Sequence, residues 1–148
     1  MPDGIDVESM TDEVGRRLVG RAISQVKLVG GQLVENPPCG FEEFQKSVNS
    51  RALTVQSVNC QGAFMYWTLD NDWTVWFTLD ESCNFTSNKT LPHATIRWAH
   101  VHPNEFDRML TRLLFFTDQQ DSGTIQFVRD PQALEDKLLS LSAPAIHA

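Results

Sequence analysis

Apolar residues Val7, Met10, Val14 and Leu18 recur at spacings of three and four, which predicts one amphipathic helix over residues 6–18. Asp6 and Glu8 fall in its first turn and Arg16 and Arg17 in its last, matching the helix dipole at both ends. Gly20 closes it. Residues 21–29 (RAISQVKLV) alternate in ambiguous phase and predict a strand, while Gly30–Gly31 and the NPPCG run at 36–40 predict loops. Phe41, Phe44 and Val48 then predict a short helix with Glu42 and Glu43 in its first turn.

A strand-rich block follows. LTVQSVNC (53–60) alternates, FMYWTL (64–69) is aromatic, Asp70–Asn71–Asp72 is turn-like, and WTVWFTL (73–79) returns as the second arm of a hairpin. Residues 93–99, 110–116 and 123–128 predict three more strands, with a polar turn from Asp118 to Gly123. Pro131 opens a closing helix that sets Leu134, Leu138 and Leu141 on one face. The expected fold is α+β: a mostly antiparallel β-sandwich or barrel with an N-terminal and a C-terminal helix. One domain is expected over 1–142, with a tail at 143–148, no internal repeat and no linker.

Composition narrows the function classes. With 148 residues, 41% of them hydrophobic and 21% charged, the chain is long enough for one ordinary core. No apolar run reaches the ~18 residues of a membrane span, and the acidic start MPDGIDVESM lacks a secretory pattern, so a cytoplasmic protein off the membrane is expected. Cys39, Cys60 and Cys83 are scattered and odd in number, which fits neither a disulfide framework nor a cysteine-based zinc site. Twelve Lys and Arg against 19 Asp and Glu leave a net charge of −7. The deficit is concentrated: residues 52–88 contain no Lys or Arg at all, but do contain Asp70, Asp72, Asp80 and Glu81. Such a segment is a poor surface for tracking phosphates.

Four local features carry candidate chemistry. Removal of Met1 would expose the secondary amine of Pro2, whose class of amine titrates near ~7.7–8.0 and can attack a carbonyl or anomeric carbon. Asp3 and Asp6 stand close enough in sequence to serve as acid or base, although a Met-Pro start and acids at a helix N-terminus are common without any chemistry. His100 and His102 share a face if they lie on a strand, yet no third ligand is suitably spaced; a solvent-facing loop and no metal are expected. The aromatics at 64–77, without interleaved cations, predict core packing rather than base stacking. No phosphate-cradling glycine loop, dinucleotide fingerprint or nucleophile elbow occurs, so no cofactor is expected.

The order of motifs resembles the N-terminal domain of the formamidopyrimidine-DNA glycosylase/endonuclease VIII family. The chain opens M-P-D-G-I-D-V-E where the family opens M-P-E-G/L-P-E-V-E. RRLVGRAISQVKL (16–28) is similar to the family's helix end and first strand. FEEFQKSVNSRALTVQSVNCQGAF (41–64) resembles the segment leading to its R-R-G-K-Y motif. FFTDQQDSGTIQFV (115–128) resembles F-N-D-x-R-R-F-G-x-x, and DPQALEDKLLSL (130–141) its closing helix. The resemblance runs colinearly over roughly 1–142.

It implies a bifunctional base-excision enzyme acting on damaged or abasic DNA, in which the N-terminal proline attacks C1′ and an acidic neighbour moves protons before strand elimination. Carried over, Pro2 is the nucleophile, Asp3 the acid, and Asp6 stands for the second glutamate. The substrate-contacting positions have changed. The hairpin lysine after glycine aligns with Ala63 after Gly62, and the void-filling methionine of H-L-G-M-[ST]-G with Glu81 in TLDESC. The R-R-F wedge aligns with Gln120, Asp121 and Ser122 before Gly123. The sequence also stops before the family's helix–two-turn–helix and zinc-finger module.

The expectation is therefore a domain weakened or inactive on its own and serving as a binding or regulatory module, with a protein partner of basic character. The alternatives are an active DNA glycosylase/AP lyase using Pro2, and an acidic DNA mimic that inhibits a nucleic-acid-binding protein.

Overall fold

The computed structural model describes residues 6–87, 93–102 and 111–142. Pro2, Asp3 and the tail at 143–148 lie outside the described residues. Helix α1 (Val7–Leu18) begins at Asp6, whose side chain accepts the Ser9 N–H at 3.0 Å. Strand β1 (Ala22–Leu28), a single turn of helix α2 (Gln32–Glu35) and helix α3 (Phe41–Ser50) follow. The strands β2 (Leu53–Gln61), β3 (Phe64–Leu69), β4 (Thr74–Thr78), β5 (Cys83–Thr86), β6 (Ala94–Val101), β7 (Arg112–Asp118) and β8 (Thr124–Val128) precede α4 (Pro131–Ser142).

All eight strands form one antiparallel array in the order β5-β7-β6-β1-β2-β3-β4-β8. Alternation explains how it folds over on itself. Met65, Trp67 and Leu69 of β3 and Val75 and Phe77 of β4 point inward, toward Ile96 and Trp98 of β6 and Leu114 and Phe116 of β7. The halves meet through ring contacts: Trp67–Trp98 at 4.8 Å, Phe77–Phe85 at 5.3 Å and Phe77–Phe116 at 5.7 Å. This is the expected α+β sandwich. Phe64, Trp67, Trp73 and Phe77 are buried, as the shortage of cations between them predicted, whereas Tyr66 and Trp76 are only half-buried.

Helix α1 lies over β2 through Val14 and Leu18, and a Cβ added at Gly15 would lie 3.7 Å from that of Val58. Helix α3 sends Phe44 between Trp73 and Phe127, with centroids at 5.2 and 4.7 Å. The loop before α3 joins the β8 edge, where Phe127 N–H donates to the Cys39 carbonyl at 2.8 Å. Gly40 has φ +81°, and a Cβ there would stand 2.0 Å from the Phe127 carbonyl oxygen, so only glycine fits.

Several expectations need correction. His100 is not on a solvent-facing loop: it is buried in β6 at 4% exposure, because Arg21 caps its imidazole. The short strand β5 was not foreseen; CNFT is brief and supplies only two inward residues, Cys83 and Phe85. Strand β7 runs on to Asp118, two residues past its expected end. In α4 only Leu134 is buried, while Leu141 is 41% exposed, so the Leu134–Leu138–Leu141 face is not covered along its length.

Candidate functional site

Three turns and one helix end meet at one side of the sandwich. Asp6 and Glu8 come from the first turn of α1, and Gly62 and Ala63 from the hairpin between β2 and β3. Asp80 and Glu81 follow β4, and Gln120 sits in the turn after β7. Together they line an open cleft of about 780 Å³. The chain needs glycine at the hairpin apex, where Gly62 adopts φ +60°. The Leu79 N–H donates to the Ala63 carbonyl at 3.0 Å, which holds the end of β4 beside that hairpin.

Five of the residues singled out from sequence thus share a single cleft: Asp6, Gly62, Ala63, Glu81 and Gln120. Asp121 does not join them. Its carboxylate lies across from Gly31, 2.9 Å from where a Cβ would stand there, in a separate recess with Asn36 and Thr95. The left-handed backbone of Asp121, φ +53°, turns it away from its neighbour Gln120.

The cleft is acidic. Asp6, Glu8, Asp80 and Glu81 all line it, and no Lys or Arg does so among the described residues. Asp80 is held at about pKa 2, chiefly by the Ser122 hydroxyl and then by that of Ser82. Ser122 Oγ donates to Asp80 Oδ2, and Ser82 Oγ lies 2.6 Å from Asp80 Oδ1. At neutral pH this carboxylate carries its full charge.

A buried partner locks the arrangement. Asp118 accepts the N–H groups of Gln120, Ser122 and Gly123 at 3.3, 3.3 and 2.8 Å, and Ser82 Oγ lies 2.8 Å away. The turn after β4 is thereby tied to the turn after β7. Ser82 escaped notice in the sequence because a hydroxyl has no recognisable spacing, and Ser122 stood out only as a wedge-aligned position. Asp118, expected only as the first residue of a polar turn, organises that turn.

Asp80, Cys83 and Asp118 bring one ligand atom each within 4.8 Å. Burial above all pushes the Cys83 thiol up to about 12, and the Asp118 oxygens are already engaged by backbone donors. The same pKa makes Cys83 a poor nucleophile.

Residues 1–125 match the model of the formamidopyrimidine-DNA glycosylase N-terminal domain. A formamidopyrimidine-DNA glycosylase from Desulfitobacterium hafniense is 22% identical over 144 residues, 97% of this chain and 50% of that protein. The crystal structure of the Lactococcus lactis enzyme, non-covalently bound to DNA containing an AP site, superposes with a TM-score of 0.68 at 19% identity. It covers 89% of this chain and 46% of that one. MutM in complex with DNA containing carbocyclic 8-oxo-G gives 0.67 at the same identity, again over 89% and 46%. The chain spans about half the length of these relatives. With the match extending from the first residue through the start of β8, the chain belongs to the formamidopyrimidine-DNA glycosylase N-terminal domain family.

Proposed function

We propose that this chain is a glycosylase-fold domain weakened in its grip on duplex DNA, whose cleft serves as a binding module for a basic protein partner. One observation carries the reading: four carboxylates and no Lys or Arg among the described residues line the cleft. Related enzymes are seen in complex with DNA containing an AP site or carbocyclic 8-oxo-G, so damaged DNA is the ligand that the family suggests. A polyanion entering this cleft meets Asp80 and Glu81 where phosphate needs cations. A lysine- or arginine-rich surface meets the complementary charge instead, which favours rapid, salt-sensitive association.

The test is binding of a fluorescent oligolysine peptide across a salt series. The wild-type chain is expected to bind with an affinity that falls steeply with salt. Glu8→Lys combined with Glu81→Lys is expected to abolish it. Equal binding by the variant would place the peptide elsewhere and remove the reading.

A specific feature supports a second reading, in which the domain retains AP lyase chemistry. Asp6 lies at the lip of the cleft, and the M-P-D-G-I-D-V-E start places Pro2 only four residues before it. In that reading the Pro2 amine attacks C1′ of an abasic sugar and expels water to form an iminium, with Asp3 and Asp6 moving the protons. Covalent trapping of that iminium decides between the two. The remaining alternative, an acidic mimic of DNA, shares the oligolysine prediction and differs in its partner: a nucleic-acid-binding protein whose own DNA displaces this chain.

A further inference from the structure

At the far end of α1, about 15 Å along its axis from Asp6, the surface changes sign. A recess of about 610 Å³ is lined by Arg16, Arg17, Arg21 and Arg112, together with His100. A third of the chain's 12 Lys and Arg gather there, and no carboxylate among the described residues lines it. In a chain of net charge −7 this concentration runs against the overall balance.

The recess has a rigid wall. Arg21 Nε donates to His100 Nδ1 at 2.6 Å, and Arg21 Nη2 donates to the His100 carbonyl at 3.2 Å. Because Nδ1 is an acceptor, the neutral imidazole must carry its hydrogen on Nε2, a donor with no acceptor among the described residues. Burial and then the charge of Arg112 lower the pKa of Arg21, which sets those two guanidinium groups within electrostatic reach of each other. Arg17 has Glu13 as a partner at 3.0 Å, whereas the exposed guanidinium groups of Arg16 and Arg112 have no ion pair among the described residues.

We propose that this recess is a phosphate-group site. Arg16 and Arg112 supply unneutralised charge, Arg21 a fixed wall, and His100 an Nε2–H donor, with the hydroxyls of Ser87 and Thr111 also at its edge. A phosphate offers the oxygens and the negative charge that such a set is short of, and guanidinium forks bind it bidentately. The C-terminal end of α1 opposes an anion with about half a unit charge, which four arginines outweigh. The group can arrive as free phosphate or as a phosphodiester of a nucleic-acid strand. Neither depends on the acidic cleft at the other end of the helix.

The experiment is calorimetric titration of the full chain with inorganic phosphate at constant ionic strength, set by chloride. The comparison is Arg16→Gln combined with Arg112→Gln, two exposed positions whose replacement leaves the core and the Arg21–His100 bond intact. Saturable one-to-one binding, weakened at least tenfold in the double variant, is expected. A single-stranded oligonucleotide that displaces the phosphate assigns the site to a nucleic-acid backbone; failure to displace assigns it to free phosphate. No saturable binding at millimolar phosphate, or equal binding by the variant, overturns the proposal.

Discussion

The hydroxyl of Ser82 stands 2.8 Å from Asp118 Oδ1 and 2.6 Å from Asp80 Oδ1, so one side chain bridges two carboxylates from two turns. That bridge fixes the wall of the cleft on which Glu81 and Gln120 are carried. Replacing buried Asp118 by Ala leaves the Gln120, Ser122 and Gly123 N–H groups without their acceptor and is expected to destabilise the fold by about 2–3 kcal/mol. Ser82→Ala removes less, about 1 kcal/mol. Urea unfolding of the two variants checks both the order and the size.

The same hydroxyls hold Asp80 ionised. In Ser122→Ala the Asp80 pKa is expected to rise from about 2 toward the ordinary carboxylate range, since the hydrogen bond lost is the largest contributor to the depression. Side-chain carboxyl chemical shifts across an acid titration measure this. An unmoved Asp80 would mean that Ser122 does not hold it.

His100 makes stability depend on pH. Burial first, then the charges of Arg21, Arg112 and Arg17, push it down to about 4. The unfolded chain takes up this proton near the ordinary histidine value, so it binds more protons than the folded chain between the two. The stabilisation is complete above about pH 6.5 and is lost as pH falls toward 4, amounting to on the order of 2 kcal/mol. Denaturant midpoints from pH 7 to 4 are expected to fall. His100→Gln, which retains an acceptor for Arg21, is expected to flatten that slope.

Two glycines with positive φ separate conformation from packing. Gly62 adopts φ +60° with nothing near a prospective Cβ, so Gly62→Ala is expected to cost only about 1 kcal/mol. Gly40→Ala adds a clash with the Phe127 carbonyl to its φ of +81° and is expected to cost roughly 3 kcal/mol or more. Thermal unfolding of the pair tests the difference. If Gly40→Ala matches Gly62→Ala, the loop before α3 is not pinned to β8.

The parts of this molecule legible in the sequence are those governed by periodicity. Val14 and Leu18 mark the face of α1, and the Met65–Trp67–Leu69 and Val75–Phe77 alternations mark the inner surface of the hairpin. The acidic cleft was legible through local composition, because residues 52–88 lack cations and two of their turns, at Gly62–Ala63 and Asp80–Glu81, line it. What escaped depends on partners distant in sequence. His100 is buried because Arg21, 79 residues away, caps it, and no local pattern encodes that. Asp121 shares its turn with Gln120, yet a left-handed backbone sends it toward Gly31. The arginine recess draws on α1, the residue just before β1, β6 and β7, so its shape has no linear signature.

We propose that the cleft at the start of α1 does not engage abasic DNA productively. Borohydride trapping with a duplex carrying one abasic site tests it most directly, because the imine between an amine and the abasic sugar is reduced to a stable covalent complex and Pro2→Gly tells a Pro2 adduct from one made by a lysine. Wild-type protein at micromolar concentration is expected to give no adduct, in parallel with a Pro2→Gly control. A wild-type adduct that disappears in Pro2→Gly would contradict the account and establish the lyase instead.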